Sequence, residues 1–200
     1  MPNYALYALS GLVFWNFISS AILQVLTSFI DNAGILKSVN INPACFPFAA
    51  ALAAVFNLLL TLVPFSVVMF FLGYEFHGPS LLFVFPFIII TTLFITGFGL
   101  IMATANVYFR DVQLLWNTII PAFFYFTPIA YSIELIPEGS RHLIKMNPFF
   151  YFIESYHDIF YHSQFPNLFN LAVCVALAAV TMLVGYVFFK KYKKGFVSNL

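Results

Sequence analysis

"FYFTPIAYSIELIPEGSRHLIKMNPFFYFIESYHDIFYH", residues 124–162, begins at the end of one long apolar run and finishes shortly before another. Pro121 just upstream and Pro128 within it each remove a backbone donor and kink or break a helix. Pro137, Glu138 and Gly139 form a turn signal. "MNP" then starts a new helix, with Asn147 as N-cap and Pro148 at the first helical position. The pattern predicts a helix over about 148–162. Glu154, His157, Asp158 and Tyr161 fall on one face, and Phe149, Phe152, Ile153, Tyr156 and Phe160 fall largely on the other. Such an amphipathic helix is expected to lie in the outer membrane interface. A run broken near its outer end suggests re-entrant helices, which persist only where protein or a water-filled cavity covers them.

Composition supplies the membrane. The chain is 62% hydrophobic and 8% charged, against about 25% charged in an ordinary globular domain. Most of its surface must therefore be solvated by lipid. Net charge is +1, so no strong field draws nucleic acid or acidic ligands. Cys45 and Cys174 lie inside apolar runs and are expected to be core residues. A bilayer helix needs about 20 mostly apolar residues. Five runs qualify: about Tyr4–Ile30, Pro43–Leu72, Ser80–Phe109, Val112–Ile133 and Leu168–Phe189. The first is polar for a lipid-facing helix, with Ser10, Asn16, Ser19, Ser20, Gln24 and Thr27. The runs are continuously apolar rather than alternating, which excludes a β-barrel pattern. The expected fold is an all-α polytopic helical bundle of about five spans, with a broken fourth span and an outer interfacial helix.

Orientation follows from the basic residues. Half of the eight Lys and Arg sit in "KKYKK" after the last span, as Lys190, Lys191, Lys193 and Lys194. The positive-inside rule makes that end cytoplasmic. Counting back, the 134–166 segment and the "GYEFHGPS" turn (73–80) face outward. The 31–42 loop and the word "NVYFRDV" (106–112) face inward. Six basic residues then lie inside, and only Arg141 and Lys145 lie outside. Arg110 and Asp111 become an inner charge pair, with Asp111 placed to cap the next helix. Five spans with an inner C-terminus put Met1 outside, so one upstream span is expected to be missing, through truncation or a misplaced start.

Chemistry is sparse. The spans hold Ser, Thr, Asn and Gln but no ionisable acid or base, which argues against an intramembrane protease or a proton-coupled carrier. Glu154, His157, Asp158 and His162 can be drawn as metal ligands, with Glu154 and Asp158, and Asp158 and His162, at i,i+4 spacing. The bland reading, the solvated face of an interfacial helix, is preferred, and no metal or cofactor is expected. No G-x-x-x-x-G-K-[ST] phosphate loop occurs, so ATP chemistry of that kind is not expected of this chain. Aromatics are abundant, 28 Phe and 11 Tyr. Most should meet lipid or packing, yet sugars also stack on aromatic faces. Trp15, Tyr108, Trp116, Tyr125 and Tyr131 are the candidates for a pathway lining.

"FRDV" (109–112), "FFYFTPIAYSIELIP" (123–137) and "NPFFYFIESYHDIFYH" (147–162) resemble the permease subunits of type-2 ATP-binding-cassette exporters. The polysaccharide branch, which exports lipid-linked O-antigen, teichoic acid or capsule chains, is the most similar. "YALYALSGLVFWNFISSAI" (4–22) is similar to that family's second span, and the resemblance extends through "NAGILKSVNINPACFP" (32–47). It implies a single permease domain over 1–200, N-terminally incomplete, where the family has six spans after an amphipathic helix. It implies a homodimer in the inner membrane with the pathway between the copies, and a separate ATPase subunit. That ATPase would dock on Asp31, Asn32 and Lys37, with the Arg110–Asp111 turn beside it at the inner mouth. The cargo would be a lipid-linked glycan, the alternative being a drug, lipid or other small hydrophobic molecule. One departure stands out: the family commonly carries Arg about where this chain has His157.

Overall fold

The computed structural model describes residues 4–39, 41–74 and 80–196. Residues 75–79 of the expected outer turn, and the side chain of Lys194, lie outside the described residues. Eight α-helices follow in order among them: α1 (Tyr4–Asp31), α2 (Ala33–Ser38), α3 (Cys45–Phe71), α4 (Val84–Tyr108), α5 (Asp111–Phe126), α6 (Glu138–Lys145), α7 (Pro148–Phe160) and α8 (Leu168–Tyr192). Single 3₁₀ turns sit at Leu81–Phe83, Ile133–Leu135 and Lys193–Gly195. The architecture is all-helical and polytopic.

Among the described helices, α1, α3, α4 and α8 are long and apolar enough to cross a bilayer. The expected fourth span is the broken one. α5 has 16 residues, about 24 Å at 1.5 Å per residue, short of a hydrocarbon core of about 30 Å. Pro121 is accommodated inside α5, and the break falls instead at Thr127 and Pro128.

α1 and α4 form the centre. α3 packs on α1, α8 packs on α4, and α7 wedges between α1, α4 and α8. This corrects the interfacial placement of the 148–162 helix. α7 buries Phe149, Phe150, Phe152, Ile153, Ser155, Tyr156, His157, Ile159 and Phe160. The amphipathic pattern was real, but the face carrying His157 meets protein. The reason is aromatic packing. Tyr156 stacks on Phe14 at 3.6 Å between ring centroids, Phe152 lies 4.6 Å from Phe94, and Phe149 meets Trp15 and Phe123 edge-on. Such pairs add to the burial of large apolar area.

A second cluster closes the opposite end. Phe29, Leu36, Leu100, Val107, Phe189 and Phe196 bring the ends of α1, α4 and α8 together under α2. The 31–42 loop, the Arg110 turn and the basic end of α8 therefore share one side. Cys174 is buried as expected, whereas Cys45, the first residue of α3, is exposed.

α4 and α8 cross at two glycines. A Cβ on Gly97 would collide with the backbone of Met182 and lie 2.5 Å from the carbonyl carbon of Thr181, and one on Gly185 would collide with the Gly97 carbonyl oxygen. Small residues of this kind let membrane helices approach closely where no hydrophobic effect drives them together. Gly97→Leu or Gly185→Leu is expected to cost about 1–3 kcal/mol through overpacking, read as a lowered Tm in detergent. Gly139→Ala, whose Cβ would meet nothing within 4 Å, should leave Tm unchanged.

Candidate functional site

The broken span is closed by a relay of side chains. α5 ends with the Phe123 carbonyl accepting from the Thr127 backbone N–H at 2.9 Å and from the Thr127 hydroxyl at 2.7 Å. Asn147 Nδ2 donates to that same Thr127 hydroxyl oxygen at 2.8 Å. Asn147 Oδ1 accepts from the Phe149 N–H at 3.0 Å and so caps α7. Thr127 and Asn147 are both buried. An orphan carbonyl of one helix end and an orphan N–H of the next are thereby joined without water. The depth is the middle of the bundle: Phe149 packs on Trp15, the twelfth residue of the 28 in α1, and on Phe94 of α4. α7 is thus a re-entrant helix that rises from mid-bundle to the end where α1 begins.

At that end α7 meets α1 through His157. Its ring stacks on Tyr7 at 3.8 Å and 29°. It is 0% exposed, and neither ring nitrogen has a hydrogen-bond partner. Glu154 Oε2 lies 3.9 Å from Nδ1. Gly11 makes the contact possible, since a Cβ there would stand 2.7 Å from His157 Nε2 and would collide with the Ile129 carbonyl oxygen. The Tyr7 hydroxyl donates to the Tyr131 carbonyl at 3.2 Å, and the Tyr131 hydroxyl donates to the Tyr125 carbonyl at 2.7 Å. The expectation of a solvated Glu154–His157–Asp158 face is corrected at His157. Glu154 remains partly exposed, and Asp158 Oδ2 accepts from the Asn167 N–H at 3.3 Å. Burial raises the Asp158 carboxyl above the ordinary range, partly offset by that hydrogen bond.

The five aromatics separate. Trp15 and Trp116 are each 4% exposed and pack on Phe124 and Phe149, and on Phe98, respectively. They are core residues of this chain, which corrects their placement on a pathway. Tyr108 is tied to the end of α8, donating to the Tyr192 carbonyl at 2.7 Å. Tyr125 is 75% exposed and Tyr131 half-buried, and both lie toward the end of the bundle where α1 begins. Tyr125 lies on α5, which buries Trp116 alone and leaves Leu114, Leu115, Ile119 and Phe126 exposed.

At the end of the bundle that carries α2, Asp31, Lys37, Arg110 and Asp111 are exposed. Asn32 Nδ2 donates to the Ser28 carbonyl at 2.8 Å, holding the α1–α2 corner, and Lys37 sits in the last turn of α2. Arg110 occupies the N-cap position of α5, and its side chain makes no cap bond. The cap comes from α4 instead: buried Asn106 accepts from the Gln113 N–H at 3.2 Å. Asn106 opens the same word, "NVYFRDV", but a partner seven residues away follows no local capping rule.

The match to the family described as ABC-2 type transporter covers residues 2–161. Two O-antigen export system permease proteins RfbA of Klebsiella pneumoniae are 30% and 29% identical over 203 residues, spanning all of this chain and 77% of theirs. An O-antigen export system permease protein RfbA of Myxococcus xanthus is 23% identical over the same shares.

Two predictions test the geometry. Asn147→Ala removes a cap worth about 1 kcal/mol and strands Thr127, whereas Thr127→Val strands the Asn147 amide. Each should lower Tm, and the double variant should cost less than the sum, because the two share one relay. His157→Phe keeps a ring against Tyr7 and removes two unpaired nitrogens, so Tm is expected to hold or rise.

Proposed function

The chain belongs to the ABC-2 type transporter family, and from that premise we propose that it is the transmembrane permease subunit of an exporter carrying a lipid-linked polysaccharide across the bacterial inner membrane. The observation that carries this reading is similarity along the whole chain to permeases named for O-antigen export. The architecture is consistent with it. A re-entrant helix seals one end of the bundle, and an exposed apolar helix, α5, offers a face for a second copy. Residues 1–200 act as one permease domain, and the working unit is a homodimer with its pathway at the α5 side.

Energy comes from a separate ATPase subunit, as membership of the ABC-2 transporter family implies for a permease. The ATPase docks on the inner loop through Asp31, Asn32 and Lys37, beside Arg110 and Asp111. Two features support that placement. These exposed residues share one end of the bundle. That end also carries Lys190, Lys191 and Lys193, which the positive-inside rule assigns to the cytoplasm. Tyr125 and Tyr131 would then stand where cargo leaves.

The test is complementation and co-purification. In a bacterium lacking its O-antigen permease, the chain expressed with its ATPase is expected to restore surface polysaccharide, read by immunoblot of intact cells. Lys37→Glu is expected to weaken ATPase co-purification about tenfold, the equivalent of 1.4 kcal/mol, and Arg110→Glu to lower export. An ATPase that fails to co-purify with the unmodified chain would sink the docking scheme. Export of a small hydrophobic cargo with no polysaccharide at the surface would transfer the reading to that cargo.

A further inference from the structure

Three carboxamides on α1 and α3 lack partners where lipid would otherwise be. Asn16 is the thirteenth residue of α1 and Asn57 the thirteenth of α3. The two helices run antiparallel, so both amides lie near mid-membrane. They line one cleft with Ser20, Gln24 and Thr61, of about 170 Å³. At Gln24 it joins a second cleft of about 380 Å³, which runs past Thr27 to Asp31 and Asn32 at the inner end. The two clefts share Gln24 and together set a line of polar side chains, Asn16, Ser20, Gln24, Thr27 and Asp31, along one side of α1. Ala49, Ala50, Ala53 and Ala54 form part of the other wall of this groove and keep it open.

The side-chain amides of Asn16, Gln24 and Asn57 have no hydrogen-bond partner among the described residues. The hydroxyls differ. Ser20 donates to the Asn16 carbonyl at 2.6 Å, and Thr61 donates to the Asn57 carbonyl at 2.8 Å. They are satisfied as donors and present only acceptor lone pairs. A carboxamide left unpaired in hydrocarbon is strongly disfavoured, so this groove does not face lipid tails. The flanking face of α3 does, with Leu52, Phe56, Leu60 and Val63 exposed.

We propose that the α1–α3 groove is the inner half of the cargo passage, in which Asn16, Gln24 and Asn57 hydrogen-bond the hydroxyls of a passing polysaccharide. The proposal rests on the permease reading above and deepens it. Chemistry favours this occupant over a transmembrane helix. A helix has spent its backbone donors and acceptors internally, so it would need a matching polar side chain at each of three depths. A polyhydroxyl chain offers a group that both donates and accepts at every depth, as each carboxamide does. Residues 16, 20 and 24 set a rung every four residues, about 6 Å apart, so a sliding chain can engage the next rung before leaving the last. No charge lies in the groove between Asp31 and mid-membrane, so nothing binds cargo tightly enough to stall it.

The experiment uses the full chain in native membranes with its ATPase, in a Cys45→Ser, Cys174→Ala background. Single cysteines are placed at 16, 24 and 57, with controls at Leu60 and Val63. A charged, water-soluble thiol reagent reacts only where water reaches the thiol. The expected result is labelling at 16, 24 and 57 and none at 60 and 63. The double variant Asn16→Leu, Asn57→Leu should lower polysaccharide export about tenfold with unchanged protein level and ATPase co-purification. Cysteines at 16 and 57 that stay unlabelled in an exporting complex overturn the proposal, and that is the outcome a seated helix would give. Unreduced export by the double leucine variant overturns it as well. A parent chain that exports no polysaccharide while its cysteines label removes the permease reading and its cargo together, a pattern distinct from either.

Discussion

A helix broken inside a membrane leaves carbonyls and amides that no water can reach. The fold depends on how this chain satisfies them. Asn147 meets the need from one position, capping α7 through its oxygen and reaching Thr127 through its nitrogen. Thr127 passes the connection to the last turn of α5. Without Asn147 the Phe149 N–H would be left unpaired and the Thr127 hydroxyl oxygen would lose its donor, both buried where no water reaches. The break could then not sit at mid-bundle, and α7 would have no reason to descend between α1 and α4. The prolines say where helices cannot continue. The relay says why stopping there is tolerable.

Once α7 is buried, its surroundings must admit it. Phe14, Phe87 and Phe94 supply aromatic faces for Tyr156 and Phe152. Gly11 removes the side chain that would block Ile129 and His157. Tyr156 shares a hydrogen bond with Thr91 at 3.0 Å, so its hydroxyl is not stranded in the core. Gly97 and Gly185 draw α4 and α8 together behind it. The bundle is held by shape and by paired polar groups, and the carboxylate nearest buried His157 is that of Glu154, at 3.9 Å.

Much of this was legible in the sequence. Run lengths located α1, α3, α4 and α8, because about 20 apolar residues have few soluble uses. "MNP" gave the start of α7 to the residue, since an Asn cap followed by Pro is a local rule with a local cause. The depth of α7 was not legible. Periodicity reports that a helix has two faces, but not whether the polar one meets water or protein, and His157 proved to meet Tyr7. Trp15 and Trp116 were misplaced for a related reason: an indole suits a sugar-binding wall and a packed core equally well, and only contacts decide. Asn106 was missed because it caps across a turn.

α1 links what happens at the two ends. It is one unbroken helix from Tyr4 to Asp31. Its first turns carry Tyr7 and Gly11 against the re-entrant segment, its middle carries Asn16, and its last residue adjoins the α2 corner held by Asn32. A straight helix transmits displacement because its hydrogen bonds resist stretching, and a packed core repacks between discrete arrangements rather than deforming continuously. α1 therefore joins the α2 corner, Asn16 and the Tyr7–His157 stack in one hydrogen-bonded element. His157 is the weak point of that element's packing, since its two unpaired nitrogens make the contact costlier than a phenylalanine would.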